Sequence, residues 1–324
     1  MVDQLEFNGT REALLYLIGE VPADKNSFKH KMRLHQGWWR TAVLCEDPGK
    51  NPATGEGEVC NMMEDGKATR KNFLSEAAYI AAQRTLEERQ QELARYGKAA
   101  GIVDEDRLHN NLLSSQPLAF NFYGELKLDL DFATEMIRIW EPDIDRVISV
   151  EFEYAPLPKK KYTDDNSAFD VAFFFESQGL KGLLGLECKY TDTFSAKEYD
   201  SPAYNNVFER SQATFKRPYK EYIASRYNQL FRNQLIAESL RQHGEVDIVR
   251  TGLFCHQDDE SALGIAGEFR EMLENGGEGF RIITYMDYIS NLQRMALSVP
   301  QREWTMMLWA RYTGLTLSQA TFQS

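Results

Sequence analysis

Between Val147 and Tyr190 the chain holds three apolar segments in close succession, and this run constrains the fold more than any other part of the sequence. VISVEFEYAPL (147–157) alternates apolar and polar residues with the period of a half-buried strand. FDVAFFF (169–175) and LLGLECKY (183–190) are nearly continuous apolar runs of strand length. The connector ESQGLKG (176–182) is short enough for a hairpin. Three strands arriving in this order predict an antiparallel meander.

The flanking segments predict what covers that sheet. A helical pattern over 219–242 is followed by a strand, DIVRTGLFCH (247–256), then by helix EFREMLENG (268–276) and a further strand over FRIITYMDYI (280–289). Upstream, helices are expected over 11–20, 73–96 and 131–140, with Gly97 as the stop of the second. Residues 46–70, rich in Pro, Gly and charge, read as a long loop. The segment from 101 to 129 reads as a loop leading into apolar and aromatic residues. Helices on both sides of a mixed set of strands favour an α/β sandwich. The expected division is a mainly helical N-terminal extension, 1–110, packed on an α/β core, 111–324. No internal repeat or low-complexity tract stands out.

Composition narrows the function classes. A chain of 324 residues with 43% hydrophobic content can bury a large core. Its net charge of -12 argues against a generally basic nucleic-acid coat, though not against a local basic groove. Cys45, Cys60, Cys188 and Cys255 form no CxxC pair, so reduced thiols are expected rather than a zinc knuckle. The N-terminal residues interleave charge with apolar residues, unlike a signal peptide, and no run approaches a bilayer span. A soluble cytoplasmic protein with no membrane association is expected. No GxSxG elbow, GK[ST] phosphate loop or HExxH metal motif is present. Lys25, Lys29, Lys31, Arg33 and Arg40 stand near Trp38 and Trp39, an interleaving that suits a nucleic-acid backbone but also a solvated amphipathic segment.

The charges at the ends of the two apolar strands carry the chemistry. Residues i and i+2 share a strand face, so Glu187 and Lys189 point the same way, roughly 6–7 Å apart along the backbone. Leu184, Leu186, Cys188 and Tyr190 point to the other face. Hairpin pairing brings Asp170 and Glu187 together at one sheet edge, beside the Lys189 ammonium. Two carboxylates suit Mg²⁺, and the Cys188 carbonyl offers a further oxygen. A lysine beside such an ion can orient water or offset transition-state charge. The plain alternative is a surface hairpin with a Glu–Lys pair.

An acid, a variable gap, then acid-any-lysine resembles the signature of the PD-(D/E)XK, or restriction-endonuclease-like, nuclease superfamily. Asp170 matches the first acid, and Glu187 with Lys189 match the second part; Phe169 stands where that signature has proline. The resemblance implies an αβββαβ core, Mg²⁺ (with Mn²⁺ as substitute) and phosphodiester hydrolysis, with DNA as the expected substrate. In such families Asp170 and Glu187 hold metal and Lys189 assists the water. A further carboxylate is expected from the helix before the first core strand, Glu125 or Glu135, and SSQPLAFNFYGEL (114–126) resembles part of a bacterial branch. Gln234 and Arg232, from the helix after the ExK strand, are candidates for work near the substrate phosphate, Gln234 in the catalytic set. Lys159, Lys160, Lys161, Lys216, Arg217 and Lys220 are candidate phosphate contacts. Two-strand cleavage in the family would suit a homodimer. A noncatalytic nucleic-acid- or protein-binding module that keeps the site is the competing expectation.

Overall fold

The computed structural model describes residues 10–99, 101–195 and 197–322. Its centre is a five-stranded sheet in which neighbours in space follow the order of the chain. β3 (Arg146–Tyr154), β4 (Phe169–Ser177) and β5 (Leu180–Cys188) form the antiparallel meander; β6 (Ile248–Cys255) and β7 (Phe280–Thr284) add in parallel beyond β5. Ser177 pairs with Leu180 around Gln178 (φ 53°) and Gly179 (φ 80°). Both central residues thus have positive φ, the turn that matches the twist of a two-residue hairpin.

Helices cover both faces. Val150, Phe152, Val171, Phe173, Leu184 and Leu186 pack beneath helices Glu76–Tyr96, Ser115–Leu128, Leu130–Ile137, Tyr285–Leu292 and Val299–Tyr312. The opposite face, through Ala172, Leu183, Leu253 and Cys255, packs on helices Ser225–Gln242 and Glu260–Glu271. Gly124 lets the first set close up. A Cβ there would lie 2.6 Å from the Ala78 Cα of the neighbouring helix. The N-terminal segment is tied into this layer by a buried arginine: Arg311 donates to the Asn72 carbonyl (2.7 Å) and to its side-chain oxygen (2.6 Å), and to Gln36 (3.2 Å).

Several expectations change. The 46–70 segment is not one loop. β1 (Pro48–Lys50) and β2 (Glu58–Met63) pair in it, because Val59, Cys60, Met62 and Met63 are apolar side chains that the helix Ser27–Trp38 and its neighbours bury. The 101–129 segment contains the helix Ser115–Leu128, buried on nearly every side and so lacking the polar stripe that marks a surface helix. The 219–242 pattern breaks into a single turn, Tyr219–Tyr222, and the helix Ser225–Gln242. The helix expected at 268–276 runs instead over Glu260–Glu271, capped by Asp259. Strand β7 ends at Thr284, whose side chain caps the next helix. Among the described residues no helix is long and apolar enough to cross a membrane.

Candidate active site

The meander's register sets three acids in one row. Phe152 pairs with Val171 and Tyr154 with Phe169, so Glu153 and Asp170 stand opposite each other. Val171 pairs with Leu186, and one step further Asp170 meets Glu187. Glu153 departs from strand geometry with φ 48°, a left-handed conformation uncommon for glutamate and often found where a side chain is re-aimed for use.

Each acid has polar partners. Gln116, in the first turn of its helix, donates to Glu153 Oε1 (3.2 Å) and to the Ile102 carbonyl (2.7 Å). Asp170 Oδ2 accepts the backbone N–H of Cys188 at 2.6 Å. Glu187 and Lys189, at 4% and 6% exposure, pair at 3.0 Å. Gln229 bridges this pair: its oxygen accepts from Lys189 Nζ (2.8 Å) and its nitrogen donates to Glu187 Oε1 (2.5 Å). Asn233 donates to Glu187 Oε2 at 3.0 Å. Gln229 and Asn233 lie four residues apart on helix Ser225–Gln242 and so share the face towards the strand.

The electrostatics follow from crowding like charges out of water. Burial, then the Glu187 charge, raise Glu153 to about 7, against the Gln116 hydrogen bond. Burial, then Glu187 and Glu153, raise Asp170 well above the ordinary aspartate range. For Lys189 burial pulls downward, but Glu187 and Asp170 outweigh it and the ammonium is held more tightly than usual.

This donor set fits a hard divalent cation. Carboxylate oxygens are its preferred ligands. Burial first, and then the negative charge that Lys189 does not offset, make two of the row's acids resist ionising. Among the described residues no group of three His, Cys, Asp or Glu side chains is placed to hold a metal ion. Asp170 and Glu187 are the two carboxylates that could hold such an ion, with water oxygens filling the rest of its shell.

A model of the PD-(D/E)XK nuclease superfamily matches residues 22–314. The chain belongs to that superfamily. The mixed sheet with helices on both faces is its restriction-endonuclease-like architecture. No curated protein and no solved structure matches the chain. Superfamily membership implies a divalent cation.

The remaining sequence candidates are placed as follows. Cys188 turns its thiol into the apolar layer on the far face, where burial raises its pKa, and offers Asp170 its backbone N–H. Glu135 is exposed and Glu125 half-buried, and neither lines the cavity above the acid row. The helix Ser115–Leu128 instead brings Gln116 to that cavity. Gln234 is buried away from it, accepting from Thr251 Oγ1 (2.6 Å) and donating to Glu238 (3.2 Å). Arg232, two residues earlier on the same helix, points elsewhere, donating to Ser167 (2.6 Å) with Asp165 at 3.6 Å and its guanidinium over the Tyr199 ring. Lys159 binds Asn166, Lys161 binds Glu245, and Lys216 reaches the Glu271 carbonyl. Lys160, Arg217 and Lys220 are exposed, and none of these six cations lines the cavity. The cations that do are Lys29, Arg33, Arg107 and Lys189.

Sequence reasoning missed Glu153, Gln116, Gln229, Asn233 and Arg107. For Glu153 a signal existed: pairing EFEY against FDVA sets it opposite Asp170. For Gln229 and Asn233 the i,i+4 polar spacing was present, but nothing said which helix face meets β5.

Proposed function

We propose that this chain is a metal-dependent DNA endonuclease that hydrolyses phosphodiester bonds, with Mg²⁺ or Mn²⁺ held by Asp170 and Glu187. The observation that carries this reading is the Glu153–Asp170–Glu187 row beside the Lys189 ammonium. The bound ion would polarise the scissile phosphate and acidify attacking water. Lys189, kept protonated by Glu187 and Asp170, offsets negative charge as the water oxygen bonds to phosphorus. Gln229 fixes the ammonium in place through the Lys189–Gln229–Glu187 bridge. The P–O3′ bond breaks, the 3′ oxygen takes up a proton, and a 5′-phosphate remains.

Cleavage of end-labelled single- and double-stranded DNA in Mg²⁺ or Mn²⁺ tests this, with wild type, Lys189→Ala and a chelator control. Products that need metal and fall at least ~100-fold in Lys189→Ala support it. Activity indifferent to the chelator or to Lys189→Ala removes this site from the reaction. Folded protein that cuts nothing under any of these conditions points to a binding module.

A further inference from the structure

Lys189 stands one residue past the end of β5, and its main chain is pinned on both sides of the side chain. Its N–H donates to the Phe254 carbonyl at 2.8 Å, and its carbonyl accepts from the buried Tyr285 hydroxyl. Tyr190 then enters the apolar layer on the far face, where its oxygen accepts from Gln36 at 2.7 Å. Five residues after Lys189 the chain has come back to the near face. There the Lys189 ammonium lies over the Phe194 ring, with Nζ 5.0 Å from the ring centroid. Phe194 is half-buried and packs against the cluster that holds Tyr204, Phe208, Leu253 and Cys255.

The ammonium therefore has three protein neighbours of different kinds. Glu187 pairs with it at 3.0 Å, the Gln229 oxygen accepts from it at 2.8 Å, and the Phe194 ring covers a further side. An aromatic face attracts a cation through its quadrupole, and the attraction is larger where water is excluded, as around buried Lys189.

The ring does this without adding net charge, and that suits its surroundings. A carboxylate in its place would add to a row in which Glu153 and Asp170 already resist ionising. An aliphatic side chain would fill the same apolar space beside Leu253 and Cys255 but has no quadrupole to offer the ammonium. Packing alone thus asks only for an apolar residue here, whereas holding the cation asks for an aromatic one.

We infer that Phe194 is a positioning residue for Lys189, its ring face holding the ammonium in the place that Glu187 and Gln229 define. The consequence for catalysis rests on the hydrolytic reading of this site; the contact does not. The test uses the full chain with Phe194→Leu and Phe194→Tyr. Each is made with Lys189 present and in a background of Lys189→Met with Glu187→Gln, which removes the ammonium without stranding a buried carboxylate. Urea unfolding in chelator reads the contact, and cleavage of the end-labelled DNAs in Mn²⁺ reads its use. Phe194→Leu should lower the folding equilibrium constant at least ~3-fold more with Lys189 present than in the background without it. It should also lower kcat on the order of 10-fold with KM nearly unchanged. Phe194→Tyr, which keeps the ring face, should stay close to wild type in both measurements. A loss of stability equal in the two backgrounds, a tyrosine variant as poor as the leucine one, or cleavage with kcat unchanged in Phe194→Leu overturns the inference. Coupled stability without cleavage of any DNA sustains the hold on Lys189 while refuting hydrolysis.

Discussion

Glu153→Gln should make the metal-free protein more stable at alkaline pH. An acid whose pKa is raised on folding binds its proton more tightly in the folded chain than in the unfolded one. Its contribution to stability is therefore full below about 4.5 and is lost as pH climbs through about 7. That interval, at ~1.4 kcal/mol per pH unit, puts what ionising Glu153 costs the fold at no more than about 3.5 kcal/mol. Glutamine keeps an oxygen to accept from Gln116 and carries no charge to repel Asp170 and Glu187. Urea unfolding at pH 5 and pH 8.5, in chelator, is the assay. The variant should gain on the order of 1–3 kcal/mol over wild type at pH 8.5 and much less at pH 5. Adding Mg²⁺ should then stabilise wild type more than the variant, since the ion binds the folded acid row and not the unfolded chain. A variant less stable than wild type at pH 8.5, or a gap between them that does not change with pH, would refute the reasoning that repulsion and burial strain this row.

Two further substitutions probe positioning and packing. Gln229→Ala removes the bridge between Lys189 and Glu187. It should lower kcat on the order of 10-fold with KM nearly unchanged, because a positioning residue acts in the transition state; an unchanged kcat sinks that role. Gly124→Ala places a Cβ 2.6 Å from the Ala78 Cα. The two helices must part, at a cost of about 1–3 kcal/mol in urea unfolding, and a variant as stable as wild type would show that they need not touch.

The sequence alone determined what rests on short-range pattern. Period-2 alternation, the two apolar runs and the short connector ESQGLKG were enough for β3, β4 and β5 as a meander, since strand faces and hairpin pairing depend only on neighbours. The same local rule put Glu187 and Lys189 on one face, and the structure has them paired. Helix Ser115–Leu128 escaped notice because a helix buried all round has no amphipathic stripe to read. The β1–β2 unit escaped because its Pro, Gly and charge look like a loop until burial of Val59, Cys60 and Met63 shows otherwise. Only tertiary structure decided which remote groups line the cavity over the acid row. Gln116, Gln229, Arg107 and Lys29 come from four separated segments, while Gln234, on the same helix as Gln229, faces Thr251 instead. Pairwise spacing says which residues share a face; which face meets the site depends on how whole helices dock on the sheet, and that is settled by packing across the entire core.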